Sequence, residues 1–145
     1  MKTKLTALLL ALCSGLAFGH EGIELGPNQG RIVEFSDNET MHGEITEKDG
    51  KLRVALLDKD MKPVRVEAQS LVATAGTRQK PAKLEVAKDA EGFAMPVPGE
   101  NEWLILQFKA DAAGKLFTAR LHYNTKNCEP CSRPEWRCAC ASKKG

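Results

Sequence analysis

Aromatic residues make up only 6% of this 145-residue chain, with one tyrosine and two tryptophans, and there are only three histidines. So few imidazoles leave little material for general acid–base chemistry. There is no glycine-rich phosphate loop, no HExxH and no serine, histidine and acid in a nucleophile context, so a non-catalytic protein is expected. Beyond residue 19 no apolar run approaches the roughly 20 residues that a membrane helix needs. Basic clusters are missing too. The 21 basic residues stand against 19 acidic ones, which leaves no electrostatic footprint for nucleic acid and no basic amphipathic stretch for a membrane surface. Cysteine is absent between Cys13 and Cys128, and the last four, Cys128 to Cys140, fall within thirteen residues.

The first nineteen residues have the form of a secretory signal peptide. Lys2 and Lys4 give a basic start, Leu5 to Leu12 an apolar run, and Ala17-Phe18-Gly19 the small residues that a signal peptidase inspects. Cleavage after Gly19 removes two lysines and no acid, so basic and acidic residues then balance. The expectation is a periplasmic or secreted protein, beginning at His20 and not membrane-bound after cleavage. A rival is lipidation at Cys13, against which stands Leu12, where a lipoprotein has a small residue.

From Gly26 to Asn124 the dominant pattern is alternation with period two, which sends successive side chains to opposite faces of a sheet. Leu52, Val54 and Leu56 alternate with Arg53, Ala55 and Leu57, Val64 and Val66 with Arg65 and Glu67, and Leu84 and Val86 with Lys83 and Glu85. Leu104, Leu106 and Phe108 share one face; Phe117, Ala119, Leu121 and Tyr123 share another. Lys48-Asp49-Gly50 predicts a hairpin between Met41–Glu47 and Lys51–Asp58, and Asp111 to Gly114 predicts a second turn. Pro63, Pro96 and Pro98 mark strand starts or edges. No segment here has period 3.6. The expected fold is all-β, an antiparallel β-sandwich of about eight short strands with a cysteine-rich C-terminal tail, an open barrel being the alternative. The expected organisation is a flexible N-terminus at 20–25, the sandwich at 26–124 and the tail at 125–145.

Three segments follow one another in a telling order: Gly26-Pro27-Asn28-Gln29-Gly30-Arg31-Ile32-Val33-Glu34, then Met41-His42-Gly43-Glu44-Ile45, then Leu56-Leu57-Asp58-Lys59-Asp60-Met61-Lys62-Pro63-Val64. Together they resemble the small exported β-domain that accompanies bacterial heavy-metal efflux systems, which is similar to a module near the N-terminus of some periplasmic adaptor subunits. The resemblance covers Gly26 to Val66. It implies an exported all-β domain concerned with copper or other divalent cations, a periplasmic metal-efflux component as partner, and His42 as a candidate ligand.

The residues themselves offer further candidates. His20, as a mature N-terminus, would present an amine and an imidazole to copper(II), although a disordered terminus can begin with histidine by accident. His42 and His122 fall on the strand faces opposite Met41 and Ile45, and opposite Leu121 and Tyr123, and with Glu44 they could meet on one sheet surface. The plainer expectation is solvated surface histidines. Met41, Met61 and Met95 could be thioether ligands but are not clustered, so core filling is expected of Met41 and Met95. Asp58-Lys59-Asp60 lacks the glycine and distal glutamate of a calcium loop and reads as a turn.

Cys128, Cys131, Cys138 and Cys140 admit three readings. Disulfides are expected in an oxidising compartment, with Cys128 and Cys131 each joined to Cys138 or Cys140, because a Cys138–Cys140 bridge would close a ring around one residue. A thiolate site for zinc or copper(I) is the second reading. A redox pair at Cys128-x-x-Cys131 is the third, and it lacks a helix N-terminus to lower a thiol pKa. Because the apolar alternation ends near Tyr123, truncation after Asn124 is expected to remove no core position. The function read from the sequence is an exported accessory or binding module in extracytoplasmic metal homeostasis, the alternative being an interaction domain with a disulfide-stapled tail and no ligand.

Overall fold

The computed structural model describes residues 23–140; the leader with Cys13, and the candidate ligand His20, lie outside them. The chain forms β1 (Arg31–Glu34), β2 (Met41–Lys48), β3 (Lys51–Asp58), β4 (Pro63–Val64), β5 (Ser70–Thr77), β6 (Lys80–Leu84), β7 (Ala87–Asp89), β8 (Gly92–Pro96), β9 (Glu102–Lys109) and β10 (Leu116–Tyr123). Two antiparallel sheets result. One runs β1-β2-β3-β8-β7, with β4 paired to β3, and the other runs β10-β9-β5-β6.

The sandwich forms because the alternating apolar positions of both sheets face one another. Leu52, Val54 and Leu56 of β3 meet Leu104, Leu106 and Phe108 of β9 in one buried cluster. Phe35 stacks on Phe108 across the layers, ring centroids 4.5 Å apart. Met95 is buried and Met41 packs against the same cluster, so both serve as core filling. The first hairpin is as expected, Asp49 and Gly50 both taking positive φ (54° and 69°), as a tight two-residue turn requires. The second turn is held by Asp111, whose carboxylate accepts from Ala113 N at 2.8 Å. Asp58 makes the third, accepting from Asp60 N and Lys62 N at 2.8 and 2.9 Å, the turn expected at Asp58-Lys59-Asp60.

The sandwich has ten strands where about eight were expected, and the difference has a local cause. The segment around Leu84 and Val86 is not one strand but a crossover: β6 pairs with β5 in the smaller sheet, and β7 pairs with β8 in the larger. β5 carries a weak signal because two of its inward residues, Ala73 and Ala75, are small.

The most conspicuous motif residues have structural employment. Glu44 is fully buried, and its carboxylate accepts from Asn28 N (2.7 Å), Gly30 N (3.0 Å) and Asn28 Nδ2 (2.9 Å). The Gly26–Gly30 turn thus folds over the outer face of β2. A Cβ at Gly26 would stand 2.6 Å from the Glu44 carboxyl carbon, and one at Gly43 would stand 2.4 Å from the Phe35 ring. Close approach of backbone to side chain explains these glycines without any ligand.

Tyr123, the chain's single tyrosine, is buried at the end of β10 and donates to Glu47 Oε2 at 2.9 Å. Burial, then the Glu47 hydrogen bond, pushes its pKa up to about 12. The native phenol therefore holds its proton where the unfolded chain loses it, so this contribution to stability is complete below about pH 10 and is lost as pH rises towards 12. Ultraviolet titration is expected to show one phenolate transition near pH 12 in native protein and near 10 in denaturant. A native transition near 10 would contradict the buried Tyr123–Glu47 pair.

Candidate metal centre

The chain leaves β10 at Tyr123 and returns at once to the sandwich. A turn of 3₁₀ helix, Glu135–Arg137, places Trp136 at 1% exposure within the core cluster. Its ring lies 5.6 Å from that of Tyr123, and Trp136 N donates to Asn124 O at 3.0 Å. Arg31 of β1 donates to the Trp136 carbonyl at 2.9 Å, and Arg133 donates to Gln29 Oε1 at 2.8 Å. The expectation that the tail holds no core position is therefore overturned: Trp136 is core, though the alternation that reports strands could not include it.

This anchor fixes the cysteines. Cys128 N donates to Arg133 O (2.8 Å) and Ser132 N to Cys128 O (2.7 Å), closing a tight loop in which Ser132 takes φ of 56°. Asn127 and Pro134 form a bridge at its neck. Cys138 leaves the 3₁₀ turn with its N–H bound to Glu135 O at 3.2 Å, facing the loop. The Sγ atoms of Cys128, Cys131, Cys138 and Cys140 all lie within 4.8 Å of one another, and all four residues are half-buried.

Four sulfurs at about 2.3 Å from a central zinc stand about 3.8 Å apart in a tetrahedron, so the observed cluster is of the right size to hold one ion. The four cysteines stand unbridged here, and Cys131, of the first pair, approaches Cys138, of the second, as the expected cross-pair bridges would require. Cys131 Sγ and Cys138 Sγ lie 3.5 Å apart, within reach of a shared hydrogen. The loop and the 3₁₀ turn converge the four sulfurs on one point.

Backbone amides tune the cluster. The Arg133 N–H facing Cys131 is the main cause that brings its thiol down to about 7. Hydrogen bonding to Cys131 and Cys138, with burial, pushes Cys140 up to about 12, and hydrogen bonding to Cys138 with burial raises Cys128. Cys131 thus carries the charge while Cys128 and Cys140 keep their protons. In reduced, metal-free protein near pH 7.5, limiting iodoacetamide is expected to alkylate Cys131 before Cys128 or Cys140, because the thiolate is the nucleophile. Peptide mapping checks this, and preferential labelling of Cys140 would refute the charge assignment.

The nitrogen candidates do not join this cluster or each other. His42 is in β2 of the larger sheet and His122 in β10 of the smaller, so they share no surface. His42 does lie on the face opposite the core, yet it is buried and not solvated, because that face is covered. Its Nδ1 is 3.0 Å from Glu34 Oε2, off the line of a well-aligned hydrogen bond. Glu44 is occupied by the Gly26–Gly30 turn. His122 lies against Trp103, ring centroids 5.2 Å apart, with Nε2 2.9 Å from Asn101 O. Met61 sits in a turn at φ of 58°. Comparison with protein-family models, curated proteins and solved structures yields no match to this chain.

Proposed function

We propose that this protein is an exported, non-catalytic binding module that holds one thiophilic metal ion at Cys128, Cys131, Cys138 and Cys140. The observation that carries the reading is the convergence of four sulfurs within 4.8 Å on a loop anchored to the sandwich core. Four thiolates in a tetrahedron suit zinc(II), and their softness also suits copper(I). The Arg133 N–H directed at Cys131 supports it, because an amide aimed at a sulfur favours the thiolate that a metal requires. The resemblance of Gly26–Val66 to exported β-domains of heavy-metal efflux supports a place in extracytoplasmic metal homeostasis, with a periplasmic efflux component as partner.

The rival reading, an interaction domain stapled by disulfides, draws on the Cys131–Cys138 approach of 3.5 Å. Native mass spectrometry with elemental analysis of protein from its own compartment separates the two. One zinc or copper per chain, released when the cysteines are alkylated, is expected. A metal-free chain lighter by four hydrogens would establish two disulfides and overturn the proposal.

A further inference from the structure

The large apolar side chains standing exposed among the described residues are Val72, Trp103 and Leu116, and all three occupy one surface, the outer face of the four-stranded sheet. The register fixes this, since residues directly opposite share a face. Trp103 pairs with Gly76 and His122, Ile105 with Thr74 and Arg120, Val72 with Gln107, and Leu116 with Lys109. A groove of about 560 Å³ opens on this face beside Trp103 and Ile105, with Arg78 and Arg120 in its lining. Gly76 keeps it open. It carries no side chain opposite Trp103, and with φ of 130° and Lys80 O only 2.2 Å from any Cβ it tolerates none. The Trp103 ring, half exposed, is steadied by the His122 ring beside it.

Within the paired rows, charge on this face is of one sign. The outward positions of the paired rows include Lys83, Lys109 and Arg120 and no carboxylate. None of these cations, nor Arg78, forms a salt bridge among the described residues, whereas Arg53, Lys59 and Lys115 elsewhere each do. Two unpaired arginines lining an apolar groove, with lysines on the same face, are complementary to a surface that has the opposite charge and an apolar centre.

We propose that this face docks an acidic polypeptide segment of a partner protein, an apolar side chain of the segment lying against Trp103 and Ile105 while its carboxylates pair with Arg120 and Arg78. Arginine suits that role because its planar fork meets a carboxylate through two parallel hydrogen bonds. A polypeptide fits better than an anionic bilayer. Trp103 and Val72 belong to β9 and β5, the inner strands of the sheet, and the groove beside Trp103 is a concavity, which receives an inserted side chain where a flat bilayer surface offers none. The inference is independent of the cysteine cluster.

The test uses the mature full-length protein and fluorescence anisotropy of a labelled peptide of alternating aspartate and leucine, with an alternating lysine and leucine peptide as control. Binding of the acidic peptide that weakens as salt rises is expected, with no binding of the basic one. Arg120→Glu and Trp103→Ala should each weaken it by about ten-fold or more. The doubly reversed Arg78→Glu/Arg120→Glu protein should bind the basic peptide instead, a gain that misfolding cannot imitate. Lys59→Glu, outside this sheet, should change nothing. Equal binding of both peptides, indifference to Arg120→Glu, or a preference for phosphatidylglycerol vesicles over the acidic peptide would overturn the proposal.

Discussion

Chains truncated after Asn124 are expected to lose cooperative folding, and Trp136→Ala is expected to lower the melting temperature of the full-length protein by on the order of 10–20 °C. Trp136 is 1% exposed within the core cluster, against Tyr123. Exchanging a fully buried tryptophan for alanine costs about 3–5 kcal/mol, part of it transfer free energy and part the cavity left behind. Small domains have only about 5–15 kcal/mol in total, so such a loss is a large fraction of their stability. Truncation removes more, since the Arg31 bond to the Trp136 carbonyl and the Arg133 bond to Gln29 go with the ring. Trp136→Phe is the informative control. The indole Nε1 is buried with no hydrogen-bond partner, so phenylalanine keeps much of the packing and discards an unsatisfied donor. Thermal melts followed by circular dichroism decide the matter, and a truncated chain that melts cooperatively at the full-length temperature would show that the tail does not belong to the core.

Zinc bound by the reduced protein is expected to raise the melting temperature, and its apparent affinity is expected to climb steeply with pH. Metal that binds the folded chain preferentially stabilises it by mass action. Here it would also tie Cys138, two residues from Trp136, to the loop holding Cys128 and Cys131. Thiols must shed their protons to coordinate. Cys128 and Cys140 are raised above their ordinary value of 9.0, Cys140 to about 12, so both are protonated at neutral pH and must be deprotonated as the ion enters. With at least two protons released, apparent affinity between pH 6 and 8 should rise on the order of 100-fold or more per pH unit. Replacing Cys131 and Cys138 together by serine should abolish that dependence with the binding. Competition against a chromophoric chelator at several pH values measures it. A pH-independent affinity, or one unchanged in the double variant, would place the metal elsewhere.

The amino-acid sequence by itself determined the all-β architecture, because period-two alternation at Leu52, Val54 and Leu56 and at Leu104, Leu106 and Phe108 commits those side chains to one face. It also placed the turns at Asp49-Gly50 and Asp111, where local chemistry suffices, and it marked the four tail cysteines by density alone. What covers a face is a different matter. His42 lies on the side the alternation assigns to it, yet it is buried, because β1 supplies Glu34 and the segment before it folds over β2, an arrangement made by residues distant in the chain. Whether His42 and His122 could meet depended on which sheet each strand joined, and strand pairing is set by the packing of the whole molecule. The short crossover between β6 and β7 looked like one strand, since alternation does not record a change of sheet. Trp136 was legible only as a lone apolar residue in a polar tail. Its place in the core, and with it the meeting of four sulfurs, was decided by the tertiary structure, because a single side chain has no period and only the sandwich against which it packs gives it a site.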